Sequence, residues 1–236
     1  MQDSALVSVI IPALNEAENI QQTVAAARQT YAPEAVEIIV VDGGSTDGTG
    51  DLVAPIATLL QSPRGRAVQM NYGAAAAGGP ILVFCHADSR LPAGWREAVL
   101  AALRDPAVSG GTFQTLILPP NWFLKIRNRW VMPASWMFMF GDQVQFMRRE
   151  TFEQVGGFPE IPLMEDVEMM RALHNVGRLL RIPSHLRVTT SSRRFIERGV
   201  LRQTLLNVWN IARYLYLGAT PEQIARSYRS SRERDV

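Results

Sequence analysis

One cysteine, Cys85, stands among 236 residues. A single thiol excludes an intramolecular disulfide framework and any zinc site built on several thiolates, and it suits a reducing compartment. Lysine is almost missing as well: Lys125 is the only one, so nearly all positive charge is arginine. Arginine's planar fork suits phosphate and carboxylate, although a GC-rich genome would give the same bias without a functional reason. No stretch reaches the ~18 uninterrupted apolar residues of a membrane-spanning helix. Asp3 sits where a secretory signal needs positive charge, and the apolar run Leu6–Ile11 is too short for a signal core. The chain therefore reads as cytoplasmic, with association at the inner face of a membrane left open. Internal repeats and low-complexity segments are absent. At 47% hydrophobic and 19% charged residues, the composition also excludes disorder, collagen-like repeats and coiled coil.

The net charge of +2 conceals a division. Residues 1–180 hold 13 Lys+Arg against 18 Asp+Glu, a balance of −5, whereas residues 181–236 hold 11 against 4, a balance of +7. An acidic body with a basic tail points to an anionic partner near the C-terminus.

Strand and helix signals alternate through residue 104. Leu6–Ile11 is a β-branched run closed by Pro12, and Asn15-Glu16-Ala17-Glu18 after it has the spacing of a capping box. Glu37–Val41 ends in the small-residue loop Asp42-Gly43-Gly44-Ser45-Thr46-Asp47-Gly48. A strand at Ala57–Leu60 precedes an Ala-rich helix over 66–77, and Ile81–Cys85 leads through His86-Ala87-Asp88-Ser89 to a helix over 92–104. This order predicts an α/β layer with a mostly parallel sheet. The second half predicts strands at 108–118 and 144–148, a helix at 165–176, and an aromatic, methionine-rich stretch from Trp122 to Phe140. Core packing is the simplest account of that stretch, while its interleaved Lys125, Arg127 and Arg129 would also suit an acceptor groove or a membrane face. The segment 200–217 is apolar all round except for a band through Gln203, Asn207 and Asn210, so it needs cover from its own core, another subunit or lipid.

In open α/β sheets ligands bind beyond the carboxyl ends of the strands. Three acidic features fall at such ends: Asn15-Glu16, Asp42 and Asp88. Each alone is commonly a turn or cap residue. Together they suit a hard divalent cation that bridges carboxylate and phosphate oxygens. His86 and Asp88, at i and i+2, can share a direction, so Asp88 is a candidate Mg²⁺ or Mn²⁺ ligand with His86 as a weaker second. Hydrogen bonding within the loop explains His86 equally well. Cys85 is most simply a core residue.

Five segments in order resemble the motifs of the family-2 glycosyltransferases: Ser8-Val9-Ile10-Ile11-Pro12-Ala13-Leu14-Asn15-Glu16, Ile38 to Thr49, Asn71-Tyr72-Gly73, His86-Ala87-Asp88-Ser89 and Glu165-Asp166. Gly65-Arg66-Ala67-Val68-Gln69-Met70-Asn71, Gly141-Asp142-Gln143 and Arg148-Arg149 resemble the bacterial subgroup called radical-SAM/selenodomain-associated transferase 2. The resemblance implies a GT-A fold, with a mostly parallel central sheet, helices on both faces and a C-terminal helical segment. Residues 1–195 would form the glycosyltransferase domain, divided into a nucleotide-binding half (1–104) and an acceptor half (105–195), with 196–236 as the basic C-terminal segment.

The implied activity is inverting transfer of a sugar from a UDP- or GDP-sugar to an unidentified hydroxyl acceptor, lipid-linked acceptors among them, assisted by Mg²⁺ or Mn²⁺. Pro12, Ala13, Glu16, Asp42, Gly43, Arg66, Asn71, His86 and Asp88 would serve the nucleotide sugar, and Asp88 with His86 the metal. Asp166, with Glu165 as substitute, would be the general base; capping of the helix they open is the competing role. Asp142, Gln143 and Trp136 are candidates toward the acceptor, and Arg193 and Arg194 toward the diphosphate. A membrane or homodimer contact would fall to the C-terminal segment, and no nucleic acid is implied. Two departures stand out: Gly43 occupies a position that is often acidic, and His86 opens the metal motif where Asp is usual.

Other classes fit less well. Pro12-Ala13-Leu14-Asn15 occupies the place of the Gly-rich phosphate loop of a sugar-phosphate nucleotidyltransferase, and no G-x-G-x-x-G follows the first strand as in a dinucleotide-dependent oxidoreductase. A catalytically weak nucleotide-sugar-binding or membrane-docking module is the non-enzymatic alternative.

Overall fold

The computed structural model describes residues 6–118, 135–139, 143–191 and 200–228. The apolar runs of the first half form β1 (Val7–Ala13), β2 (Val36–Asp42), β3 (Thr58–Gln61) and β4 (Ile81–Phe84). β1 pairs in parallel with both β2 and β4, and β2 with β3. Parallel neighbours need crossover connections, here supplied by α1 (Ile20–Arg28), α2 (Thr49–Val53) and α3 (Arg66–Ala76). Helices cover both faces, so β1 and β2 are buried along almost their whole length and read as continuous rather than alternating apolar runs.

The chain continues through β5 (Ser89–Arg90), α4 (Trp95–Ala102), β6 (Val108–Thr112), β7 (Gln114–Leu118), β8 (Gln145–Arg148), α5 (Arg149–Gln154), α6 (Glu165–Val176), β9 (Arg178–Arg181), β10 (Arg187–Ser191), α7 (Val200–Tyr216) and α8 (Pro221–Tyr228). The main sheet runs β3-β2-β1-β4-β8-β6-β9, and a smaller one runs β5-β10-β7. Both halves of the chain thus share one sheet: β8 adds to β4 antiparallel and carries β6 and β9 beyond it. The sequence predicts one strand over 108–118. The chain instead turns between sheets at Phe113, which is fully buried and donates its N–H to the Gln143 carbonyl at 2.9 Å.

Alternate residues of the strands face two cores. Val9, Ile11, Ile38, Val40 and Val83 pack with Trp95 and α1 on one face; Ile10, Ile39, Val41, Leu82 and Phe84 pack with α3 and α6 on the other. On the second face α3 lies so close that a Cβ at Gly73 would stand 2.5 Å from Ile10 Cγ2 and 2.9 Å from Val41 Cγ2. At the amino edge Arg149 donates to the carbonyls of Ala74, Ala77 and Gly79 at the end of α3, and Arg148 to those of Leu103, Asp105 and Val108 beyond α4. The Arg148-Arg149 pair therefore caps two helix C-termini, whose last carbonyls have no intrahelical partner.

At the carboxyl edge two loops are stitched together by short polar side chains. The N–H groups of Asn15, Glu16 and Ala17 donate to Ser45 Oγ (2.9 Å), Thr49 Oγ1 (2.9 Å) and Asp47 Oδ2 (3.0 Å), and Asn15 Oδ1 accepts the Thr46 N–H at 2.9 Å. Asn15 is consequently held at φ 54°, and α1 begins only at Ile20. The capping box expected at Asn15–Glu18 does not form, because the Asn15 side chain is committed to the second loop.

Two outcomes are expected. Gly73→Ala should cost ~1–3 kcal/mol through overpacking between α3 and the sheet, read by chemical denaturation. Desolvation opposes ionisation of Asp47, but bonds from the Thr49 hydroxyl and the N–H groups of Ala17 and Thr49 prevail and hold its carboxyl below the usual carboxylate range. A depressed folded-state value gives stability above the unfolded pKa that is lost as pH falls through the folded one. The stability difference between wild type and Asp47→Asn should therefore be largest at neutral pH and shrink from pH ~5 to ~2.

Candidate active site

The sheet register fixes what meets at the carboxyl edge. Ala13 lies opposite Asp42, and Asp42 opposite Gln61. β4 delivers Cys85–Asp88 to the same edge, and antiparallel pairing sets Gln145, at the start of β8, beside Phe84. Thr112 and Arg181 end β6 and β9 there. Pro12, Ala13, Glu16, Asp42, Gly43, His86 and Asp88 are thus gathered along one rim, as the strand-end rule predicts.

Asp42 is 3% exposed. Its Oδ1 accepts the N–H and hydroxyl of Ser45 at 3.0 and 2.5 Å, and its Oδ2 accepts Gln61 Nε2 at 3.2 Å. A carboxylate offers about four lone-pair directions, so Oδ2 retains accepting capacity. Beside it, buried Gln69 of α3 donates to the carbonyls of Ala13 and Val41, both at 2.8 Å. That amide crowds Gly43: a Cβ there would lie 3.1 Å from it, so any larger side chain at 43 requires the Gln69 amide to shift by a few tenths of an ångström. Glu16 accepts Asn19 Nδ2 at 2.8 Å.

Asp88 lies at the junction of the two sheets, between the end of β4 and the start of β5. Three contacts set this loop: Cys85 N–H to the Ile10 carbonyl (3.0 Å), Thr23 Oγ1 to the Ala87 carbonyl (2.7 Å), and pairing of Ser89 with Thr190 of β10. His86 and Asp88 are half-buried and flank buried Ala87 in the turn closed by the Ser89 N–H to the His86 carbonyl (3.0 Å). Burial, with the Asp88 charge adding to it, pushes the Cys85 thiol up, which suits an inert core residue. Among the described residues no three His, Cys, Asp or Glu side chains converge as a protein-only metal cage. One carboxylate with an imidazole two residues away still fits a hard cation that takes its remaining oxygens from phosphates and water.

Across the rim, Arg66 at the start of α3 donates through Nε to Glu165 Oε1 at the start of α6. Glu165 is 1% exposed, and its Oε2 is buried without a hydrogen-bond partner. Arg66 was expected toward base or phosphates, and Glu165 as a substitute base; the ion pair commits both to each other and bridges the two halves. Half-buried Asp166 follows, with Oδ1 accepting the Val167 N–H at 2.9 Å and its carbonyl accepting Gln145 Nε2 at 3.0 Å.

Other candidates are engaged elsewhere. The Asn71 amide clamps Phe158 through two bonds, accepting its N–H at 2.9 Å and donating to its carbonyl at 2.8 Å, so it fixes the Gly156-Gly157 turn instead of facing the rim. Gln143 is buried, with Oε1 accepting Arg181 Nη1 at 2.7 Å and Thr112 Oγ1 at 3.4 Å, which ties β6 to β9. Trp136, half-buried, carries the Arg171 guanidinium 5.8 Å above its ring and packs on α6. Asp142, Arg193 and Arg194, and most of the Trp122–Phe140 stretch, lie outside the described residues. Sequence reasoning missed Gln69, Gln145 and Asp47; of these only Asp47, in its Asp-Gly loop, carries a local signal. A cavity of about 350 Å³ beside Pro80, Leu100, Leu103 and Glu153 lies at the opposite, amino edge, where the neighbouring arginines are spent on helix carbonyls.

The sequence model of "Glycosyl transferase family 2" matches residues 8–158, which spans β1 to Phe158. A probable glycosyltransferase of Bacillus subtilis, YdaM, is 27% identical over 77% of this chain and 49% of its own length. The validoxylamine A glucosyltransferase of Streptomyces hygroscopicus subsp. limoneus is 39% identical over 43% of this chain and 24% of its own. This chain thus spans about half or less of those relatives. Among solved structures, S. aureus TarS 1-349 superposes with a TM-score of 0.66 at 17% identity, over 89% of this chain and 72% of that one. The mannosyltransferase PcManGT of Pyrobaculum calidifontis, in complex with GDP-Man and Mn²⁺, does so with 0.57 at 25% identity, over 78% and 56%. The sheet and its flanking helices have the GT-A fold, and the chain belongs to glycosyl transferase family 2.

Proposed function

We propose that this protein transfers a sugar, with inversion, from a UDP- or GDP-sugar to a hydroxyl acceptor. The observation that carries the proposal is the gathering of Asp42, Asp88 and Asp166 around one carboxyl edge in a family-2 chain. Residues 1–195 act as the catalytic domain and 196–236 as a basic C-terminal segment. The runs Gly65–Asn71 and Arg148-Arg149 support placement in the radical-SAM/selenodomain-associated transferase 2 subgroup.

Asp42, locked by Ser45 and Gln61, accepts an N–H of the base next to Pro12, Ala13 and Glu16. Asp88, with His86, would hold Mg²⁺ or Mn²⁺, which when bound supplies positive charge against the diphosphate. Complexes of relatives support a nucleotide sugar and a divalent cation: PcManGT with GDP-Man and Mn²⁺, and TarS 1-349 with UDP-GlcNAc. Asp166 takes the proton of the acceptor hydroxyl while that oxygen forms its bond to the anomeric carbon. The bond to the diphosphate breaks on the opposite face, so the configuration inverts. Glu165 is the supporting residue: paired with Arg66, it holds the start of α6, and Gln145 holds the Asp166 carbonyl.

UDP- and GDP-sugars should be screened by thermal shift with and without Mn²⁺, since a ligand that binds the native state raises apparent stability. One donor should raise the melting temperature of wild type only with the metal, and Asp88→Ala should abolish the shift. No shift with any donor would overturn the proposal. Asp166→Asn should keep the shift and slow donor turnover by ~10²–10⁴-fold; undiminished turnover would remove Asp166 as the base.

A further inference from the structure

α7 carries apolar residues on both of its sides. Asn210 on this helix is fully buried, and Ile211, Tyr214 and Leu215 pack around Met164, Val167 and Ile224. The Tyr214 hydroxyl donates to Glu168 Oε1 at 2.8 Å, which anchors α7 to α6. The other side carries Val208, Trp209 and Tyr216, 60%, 56% and 73% exposed, with Leu217 just beyond the helix at 64%. At 100° per residue Val208, Trp209 and Tyr216 fall within a ~100° arc. Four of the seven large exposed hydrophobics among the described residues therefore sit together on this element. Single exposed apolar residues need no explanation, but a contiguous group of this kind marks an interaction surface.

Charge identifies the occupant. In the C-terminal segment, 196–236, all 7 Lys+Arg residues are arginine, against 4 acidic residues. Arg213 lies on α7 itself, and exposed Arg226 on α8, which packs beside it. Two copies meeting through this face about a twofold axis would oppose arginine to arginine, which is unfavourable. An anionic bilayer instead offers hydrocarbon to Val208 and Leu217, headgroups to the amphipathic rings of Trp209 and Tyr216, and phosphate to the guanidinium groups. Among the described residues no helix is long and apolar enough to cross a membrane, so α7 would lie flat in the interface.

We propose that the outward face of α7 docks the protein on an anionic lipid surface, with Arg213 and Arg226 supplying the attraction. The contact is independent of the sugar-transfer chemistry and is tested without donor or acceptor. The full chain should cosediment with phosphatidylcholine vesicles containing phosphatidylglycerol and not with phosphatidylcholine alone. Raising NaCl from ~50 to ~500 mM should weaken binding about tenfold or more, because exposed charges are screened. Trp209→Glu should weaken binding at least as much with an unchanged melting temperature, since its side chain is exposed, and Arg226→Gln should do so to a smaller extent. Bromine-labelled lipid should quench tryptophan emission of wild type, and Trp209→Phe should lose most of that quenching. Absence of binding at low salt, or binding and quenching untouched by both Trp209 substitutions, would overturn the proposal. A dimer that Trp209→Glu converts to monomer, with no vesicle binding by wild type, would give the face to a second copy.

Discussion

Parallel pairing of β1 with both β2 and β4 is the constraint on which the rest depends. It sends three chain exits to one edge, where the strand ladders stop and the backbone still needs hydrogen-bond partners. Short polar side chains meet that need: Ser45, Thr49, Asp47 and Asn15 for the loop amides, and Gln69 for the carbonyls of Ala13 and Val41. Because these groups are used locally, Asp42 and Asp88 are presented on a firm rim instead of mobile loops. The same economy governs the amino edge, where Arg148 and Arg149 complete the ends of two helices. One edge is thereby finished structurally, and the other gathers the buried Asp42 and the half-buried Asp88.

The Arg66–Glu165 pair joins the halves at that edge. Burying a carboxylate is costly unless it is matched, and removal of one partner from a buried pair leaves an uncompensated charge. Glu165 is buried where Arg66 is about one-third exposed, so the pair serves position more than stability. It fixes the start of α6, and hence Asp166, relative to α3 and the carboxyl-edge loops. One sheet spans the two halves, and the Arg66–Glu165 pair joins them at the rim.

Much of this was legible because it is local. β-branched runs closed by Pro12 or by small-residue loops gave the parallel strands, and the position of Asp42 and Asp88 at the carboxyl edge follows from their place after those runs. The failures involve partners far apart in sequence. Nothing near Asn71 indicates Phe158, 87 residues away, and nothing near Arg66 indicates Glu165, 99 away. Gln143 reads as a candidate toward the acceptor, and nothing near it in sequence indicates Arg181 of β9, 38 residues away, which donates to it. The Asn15–Glu18 box matched a helix start by spacing, yet tertiary bonds to the second loop won. The break at Phe113 was hidden because residues on both sides of it favour strand, and only the second sheet separates them. Gly43 reads as a departure from the family pattern, and the Gln69 amide packs against it.

Sugar transfer as proposed requires the carboxyl edge to be the donor site. A crystal structure of the chain with a nucleoside diphosphate and Mn²⁺ tests this most directly. The base should lie against Asp42 and Pro12, with the diphosphate and metal density beside Asp88. A nucleotide bound at the amino edge, in the cavity between Pro80 and Leu103, with the Asp42–Asp88 rim empty, would contradict it.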